Sequence, residues 1–254
     1  MASISDTISD TISDTDMVSD VVMGQHFQVM SLKLSVPQSI YYVKNFIDEN
    51  EEQLLMDRVI NSPKPKWTVL SHRRLQNWGG LPHPKGMVAQ ELPQWLQIYT
   101  TRLSELAVFG GNTANHVLIN EYLSGQGIMP HEDGPLFYPT VATINTGSQT
   151  LLDFYNKISE SNDGMDEKGD QRIPLFSLLL EPRSLVILQE DAYKSYLHGI
   201  REVKSDIIND KIANLSLCHN YRVGQQLDRS TRFSFTIRYV PKVIKNFNIF
   251  NNKK

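Results

Sequence analysis

The sequence predicts an α+β fold, mainly β, with helices ahead of a long run of short strands. Helical periodicity is confined to two segments before residue 110. Short β-type runs separated by turn residues fill much of the chain after Gly111. A single cysteine, Cys218, rules out a disulfide scaffold, so the fold rests on a core. With 254 residues, 40% of them hydrophobic, a sizeable core is available to a single β-rich domain.

Ser39–Phe46 is rich in β-branched and aromatic residues and reads as a strand. Asp48 and Glu51 then form a capping-box pattern ahead of Leu54, Leu55, Met56, Val59 and Ile60. Asn61-Ser-Pro63 stops that helix. A second helix is expected from Pro93 to Phe109, with Leu96, Tyr99, Leu103 and Leu106 at helical spacing and Gly110-Gly111 at its end. Strands follow at 116–122, 139–145, 150–155, 175–180, 184–188 and 232–240, a series that suits a sandwich or barrel. Residues 156–172 and about 203–230 lack periodicity and read as long surface loops.

The N-terminus repeats Ile-Ser-Asp-Thr three times between residues 4 and 15. Such an acidic Ser/Thr/Asp tract buries too little to offset its ordering entropy, so 1–24 is expected to be a disordered tail and 25–254 the folded domain. The chain has no basic and apolar leader and no run of apolar residues long enough for a membrane helix. The expectation is a monomer of the cytoplasm and nucleus, without a membrane partner.

His131-Glu-Asp133 sets an imidazole and a carboxylate two positions apart, on one side of an extended segment. That is two-thirds of the 2-His-1-carboxylate set that suits non-haem Fe(II) and leaves coordination positions open. The third ligand must come from His26, His72, His83, His116, His198 or His219. His198 stands out because it follows a strand-rich stretch. Cys218-His219 lacks the second pair a closed zinc site needs.

Residues 232–240 alternate strictly. Arg232, Ser234, Thr236 and Arg238 face one way, and Phe233, Phe235, Ile237 and Tyr239 the other. The polar stripe is either an ordinary solvent face or a cavity wall carrying two carboxylate-gripping guanidinium groups. Asn120 and Tyr122 share one face of 116–122 and can hydrogen-bond an acid.

In this order, Asn120-x-Tyr122, His131-x-Asp133, His198, then Arg232 and Arg238, the chain resembles the AlkB family of Fe(II)- and 2-oxoglutarate-dependent dioxygenases. The resemblance spans about 115–240. It implies a double-stranded β-helix, or jelly roll, core with supporting N-terminal helices. It also implies Fe(II) held by His131, Asp133 and His198, with 2-oxoglutarate as cosubstrate and O2 as oxidant. Arg232 takes the distal carboxylate, Asn120 and Tyr122 hydrogen-bond the cosubstrate, and Arg238 lies near the iron end. The reaction implied is oxidation of a substrate C–H, coupled to decarboxylation of 2-oxoglutarate to succinate. On an N-methyl group the resulting hemiaminal loses formaldehyde. Two departures stand out. Ser234 sits where base-repairing members often have Asn, and 203–230 lengthens the gap before Arg232.

The net charge of −3 is unevenly spread. Residues 1–32 hold five Asp and no cation, leaving +2 for the rest, and 58–102 alone carries +6. All three Trp lie in that segment. Cations interleaved with rings suit single-stranded nucleic acid, and Arg73, Arg74 and Trp78 are its candidate contacts. In the AlkB family this region corresponds to a nucleotide-recognition lid. The bland alternative is a solvated cationic surface, with Trp67 and Trp95 in the core. The resulting expectation is an oxidative demethylase of N-alkylated bases, RNA ahead of DNA. A protein side-chain hydroxylase or demethylase, or a nucleic-acid-binding module with an idle iron site, are the alternatives.

Overall fold

The computed structural model describes residues 28–29, 37–157, 173–218 and 221–244. The expected tail 1–24, His26, His219 and residues 158–172 of the first expected loop lie outside the described residues.

Three α-helices are described: α1 (Glu49–Ile60), α2 (Gln94–Glu105) and α3 (Glu190–Lys194). The strands ahead of the jelly roll are β1 (Gln28–Val29), β2 (Ile40–Val43), β3 (Thr68–Leu70), β4 (Arg73–Trp78), β5 (Gly80–His83) and β6 (Gly86–Ala89). Then come β7 (His116–Tyr122), β8 (Ile128–His131), β9 (Thr140–Gly147), β10 (Thr150–Asn156), β11 (Phe176–Leu180) and β12 (Leu185–Gln189). The last are β13 (Tyr196–Ile200), β14 (Ser205–Ile207), β15 (Gln226–Asp228), β16 (Arg232–Arg238) and β17 (Val243–Ile244).

A major sheet of eight strands runs β1-β2-β12-β9-β16-β7-β4-β3, and a minor sheet of four runs β11-β10-β13-β8. Both are antiparallel. The architecture is the expected mainly β jelly roll, with α1 and α2 on one face of the major sheet. Short hairpin-like sheets, β14-β15 and β17-β6-β5, complete it.

α1 starts where the capping box expects. Asp48 accepts from the Glu51 N–H at 2.8 Å, and Glu51 Oε2 accepts from the Asp48 N–H at 2.9 Å. Leu55 and Val59 of α1, and Leu96, Tyr99 and Leu103 of α2, pack on one face of the major sheet. Phe233, Phe235 and Ile237 of β16 meet them there. The opposite face of the same strands looks into the space between the sheets. A second cluster, with Val141, Leu152, Val186 and Ile200, fills part of that space.

Three local expectations change. α2 ends at Glu105 rather than near 109, because Ala107 adopts φ 55° and breaks the helical path. The turn-rich segment after Trp67 forms four short strands, β3 to β6. The region 203–230 is not a surface loop throughout. It pairs β14 with β15 and buries Ile208, Ile212, Asn214 and Cys218 against the minor sheet. Asn214 secures it by exchanging hydrogen bonds with the Leu179 backbone, at 2.8 and 2.9 Å.

Candidate active site

A cavity of about 300 Å³ lies between the two sheets. The period of two on β7 and β16 sends every second side chain into it: Asn120 and Tyr122 from β7, Arg232, Ser234 and Arg238 from β16. The polar stripe of β16 is therefore a cavity wall rather than a solvent face. His131, Asp133 and His198 line the same cavity from the β8 end and from β13.

β8 and β13 pair so that His131 stands opposite His198. Their rings lie 4.6 Å apart between centroids. Gly199 permits this approach, since a Cβ there would come within 2.9 Å of the Ile128 carbonyl and of the Pro130 nitrogen. Asp133 follows β8 and brings Oδ2 to 3.6 Å from His198 Nε2. Arg238 Nη2 donates to Asp133 Oδ1.

Burial sets the protonation states. It lowers the His198 imidazole to about 4, against the opposing pull of Asp133. It lowers His131 as well. Burial alone raises Asp133, but the charge of Arg238 and then the two histidines outweigh it and hold the carboxyl below its ordinary value. Two neutral imidazoles and one carboxylate form the donor set a divalent metal requires. With His198 neutral, its approach to Asp133 is not an ion pair.

Among the described residues no three such side chains are already converged as a metal cage. Asp133 is turned to Arg238, as above. The chemistry of the set nevertheless fits Fe(II). His131 Nδ1 lies 2.9 Å from the Met129 carbonyl, which fixes the proton on Nδ1 and leaves Nε2 as the ligating atom.

The cosubstrate end is built on Arg232. It is 4% exposed. Burial lowers its pKa to about 10, so it is still a cation at neutral pH. Nη2 donates to Asn145 Oδ1 at 2.5 Å, while Nε and Nη1 have no partner. Unpartnered buried guanidinium nitrogens on a cavity wall suit a carboxylate. Tyr122 lies opposite Arg232 in register, and burial raises its pKa, keeping the phenol a donor. Asn120 Oδ1 accepts from Arg73 Nε at 3.0 Å. Ser234 stands opposite Asn120 on one side and Asn145 on the other. Sequence reasoning missed Asn145. Its placement depends on the β9–β16 register, for which no local signal exists.

The three candidate substrate contacts separate. Arg73 lines the cavity. Arg74 and Trp78 lie on the opposite parity of β4 and are not brought to the cavity. Arg74 Nη2 donates to Glu121 Oε1 at 2.8 Å, and its guanidinium stacks over Trp67 at 4.0 Å. Trp78 meets Trp95 edge-on at 5.5 Å, under Lys66. Neither side chain lines the cavity; both are held by neighbours on the other side of β4.

A profile of the 2OG-Fe(II) oxygenase superfamily matches residues 66–238. The Danio rerio protein named probable RNA/DNA demethylase ALKBH6 is 54% identical over 218 residues, covering 86% of this chain and 92% of its own length. The uncharacterized protein L905 of Acanthamoeba polyphaga mimivirus is 27% identical, covering 84% of this chain and 90% of its own. Among solved structures, OsALKBH1 superposes with a TM-score of 0.48 at 13% identity, covering 82% of this chain and 99% of that one. The chain belongs to the 2OG-Fe(II) oxygenase superfamily and, within it, to the AlkB family.

It is accordingly a dioxygenase that uses Fe(II), 2-oxoglutarate and O2. When bound, iron supplies the oxidising chemistry, coupling loss of CO2 from 2-oxoglutarate to hydroxylation of a substrate C–H. His131, Asp133 and His198 would hold it. Arg232 would anchor the distal carboxylate of 2-oxoglutarate, with Tyr122 and Asn120 orienting the acid. Arg238 would balance the Asp133 carboxylate. Arg232 and Arg238 are themselves buried on the cavity wall.

Proposed function

We propose that this oxygenase removes N-alkyl groups from nucleobases in single-stranded nucleic acid, RNA ahead of DNA. The observation that carries the reading is the rim of the cavity. Of the basic segment 58–102, Arg73, Asn77 and Pro82 reach the cavity wall, on β4 and β5. The neighbouring hairpins expose apolar side chains, Val69 at 78% and Leu81 at 61%. A cation beside exposed apolar tips suits a phosphate backbone with an unstacked base. The cavity volume is at the small end for ligand sites and admits one base or side chain, not a duplex. The Danio rerio relative is named a probable RNA/DNA demethylase, which supports a nucleic-acid substrate without choosing between RNA and DNA.

The test is a panel of methylated RNA, DNA and peptides, read out by succinate and formaldehyde release with Fe(II). Turnover of methylated RNA above DNA, absent in His131→Ala, is the expected result. Turnover on peptides alone would replace this reading with a protein demethylase.

A further inference from the structure

Asn120 faces the cavity with an amide whose two ends behave oppositely. Oδ1 accepts and Nδ2 donates, and a half-turn about the last side-chain bond exchanges them. An incoming keto acid offers only acceptor oxygens. The amide helps it with Nδ2 forward. With Oδ1 forward it opposes the acid, because two acceptors facing each other both go unpaired. Asn120 is 5% exposed, so water does little to offset a wrong orientation.

The neighbouring strands decide the orientation. Leu75 of β4 and Ser234 of β16 stand opposite Asn120 on its two sides. Leu75 is apolar. The Ser234 hydroxyl donates or accepts, so it favours neither end of the amide. Arg73 lies two residues before Leu75, shares its face of β4 and reaches Asn120 along the diagonal. Its Nε donates to Asn120 Oδ1 at 3.0 Å. A guanidinium has donors and no acceptor, so it can hold only the oxygen. With Oδ1 taken, Nδ2 is the end left for the cavity. Arg73 itself opens β4 and pairs with Leu70 of β3, the outermost strand of the major sheet. The turn between them is tied across to the segment after β13, where His72 Nδ1 lies 3.1 Å from Glu202 Oε2. The group that orients Asn120 therefore belongs to the rim hairpin, not to the strands that carry the other cosubstrate residues.

We propose that Arg73 is a positioning residue for the cosubstrate: by holding Oδ1 it turns the Asn120 amide so that Nδ2 donates to 2-oxoglutarate. It acts through Asn120 and not on the acid. The orientation that Ser234 leaves open on β16 is closed from β4. The role rests on the oxygenase assignment and is independent of which substrate the enzyme oxidises.

The experiment is a double-mutant cycle on 2-oxoglutarate affinity, measured by calorimetry with Mn(II) in place of Fe(II) so that no turnover intervenes. Arg73→Met should weaken binding about tenfold, the worth of one hydrogen bond. In an Asn120→Ala background the same substitution should change affinity by less than about twofold, because no amide is left to turn. Arg73→Lys keeps a donor without an acceptor, and since the bond to Asn120 is single, it should restore most of the affinity. Equal losses in both backgrounds overturn the proposal, since Arg73 would then act on the acid itself or on the hairpin as a whole. No loss in the wild-type background overturns it too, as does a lysine variant as weak as the methionine one. If Arg73→Met does not fold, Arg73→Gln takes its place. That amide can turn over together with the one it faces, so affinity should lie at least about threefold below that of Arg73→Lys. Equal affinity of the two would overturn the proposal.

Discussion

Arg229 and Arg232 sit three positions apart, both buried, and in opposite circumstances. Arg229 is fully engaged. It grips Asp206 through Nε at 2.7 Å and Nη2 at 2.6 Å, and its Nη1 donates to the Arg201 carbonyl at 2.7 Å. Arg232 makes one bond, to Asn145, and leaves two nitrogens unpartnered on the cavity wall. A buried cation with a bidentate carboxylate staples structure, whereas one with nitrogens to spare is preorganised for an acid from outside. The same contrast separates Arg73, on the cavity, from Arg74, spent on Glu121. Guanidinium groups, buried like Arg232 or half-exposed like Arg74, are thus sorted by what their partners leave over, not by charge.

That contrast breaks most visibly at Asp206. Asp206→Ala leaves Arg229 charged and unpaired in the interior, and should cost about 3–5 kcal/mol in denaturant unfolding. A loss well under about 1 kcal/mol would mean that the pair is no staple. Acid should act next, on the cavity side. The unfolded His116 imidazole takes up a proton near 6.5, but the folded one only near 3. Between those values the unfolded state binds more protons, so stability is level above pH 6.5 and falls as pH drops. The loss attributable to His116 should reach about 3 kcal/mol by pH 4. His198, lowered to about 4, adds to the loss in the same window. A metal-free protein equally stable at pH 4 and pH 7 would contradict this.

Arg232→Met should do the reverse of Asp206→Ala. Stability should stay within about 1 kcal/mol of wild type, since a solvent-excluded cation is removed rather than orphaned. Affinity for 2-oxoglutarate should drop about 100-fold, the worth of one or two charge-assisted hydrogen bonds. Equal affinity, measured by calorimetry, would end the anchor assignment. The smallest effect on the cosubstrate is expected at Asn145, which holds Arg232 but does not line the cavity. Asn145→Ala also loses the amide's bonds to Ser184. It should cost about 1–2 kcal/mol and raise the KM for 2-oxoglutarate about tenfold, with kcat little changed. An unchanged KM would mean that Arg232 holds its own place.

Much of this was legible in the chain. The capping box at Asp48 and Glu51 is a local device, and local devices read directly from sequence. The alternation across 232–238 set which side chains share a face, because strand parity is a backbone property. That Asn120, His131, Asp133, His198 and Arg232 share one site was expected from their order along the chain, not from any one of them, and all five line the same cavity. The region 203–230 was misread because its buried residues follow no period. They fill gaps against the minor sheet, as Ile208 and Ile212 do, and no repeating face records that.

By itself, the sequence determined the mainly β class, the two helix-forming segments, the partition of β16 into an apolar and a polar stripe, and the family. The first three follow from propensity, capping and periodicity, which act over a few residues; the family follows from the resemblance carried by the order of its motifs along the chain. Only the tertiary structure decided that the polar stripe faces a cavity, that Arg73 and not Arg74 or Trp78 reaches it, that Asn145 holds Arg232, and that His116 has an unpartnered nitrogen there. Each depends on which strands pair and in what register. That choice is made by burial of the whole sheet and leaves no mark within any one strand.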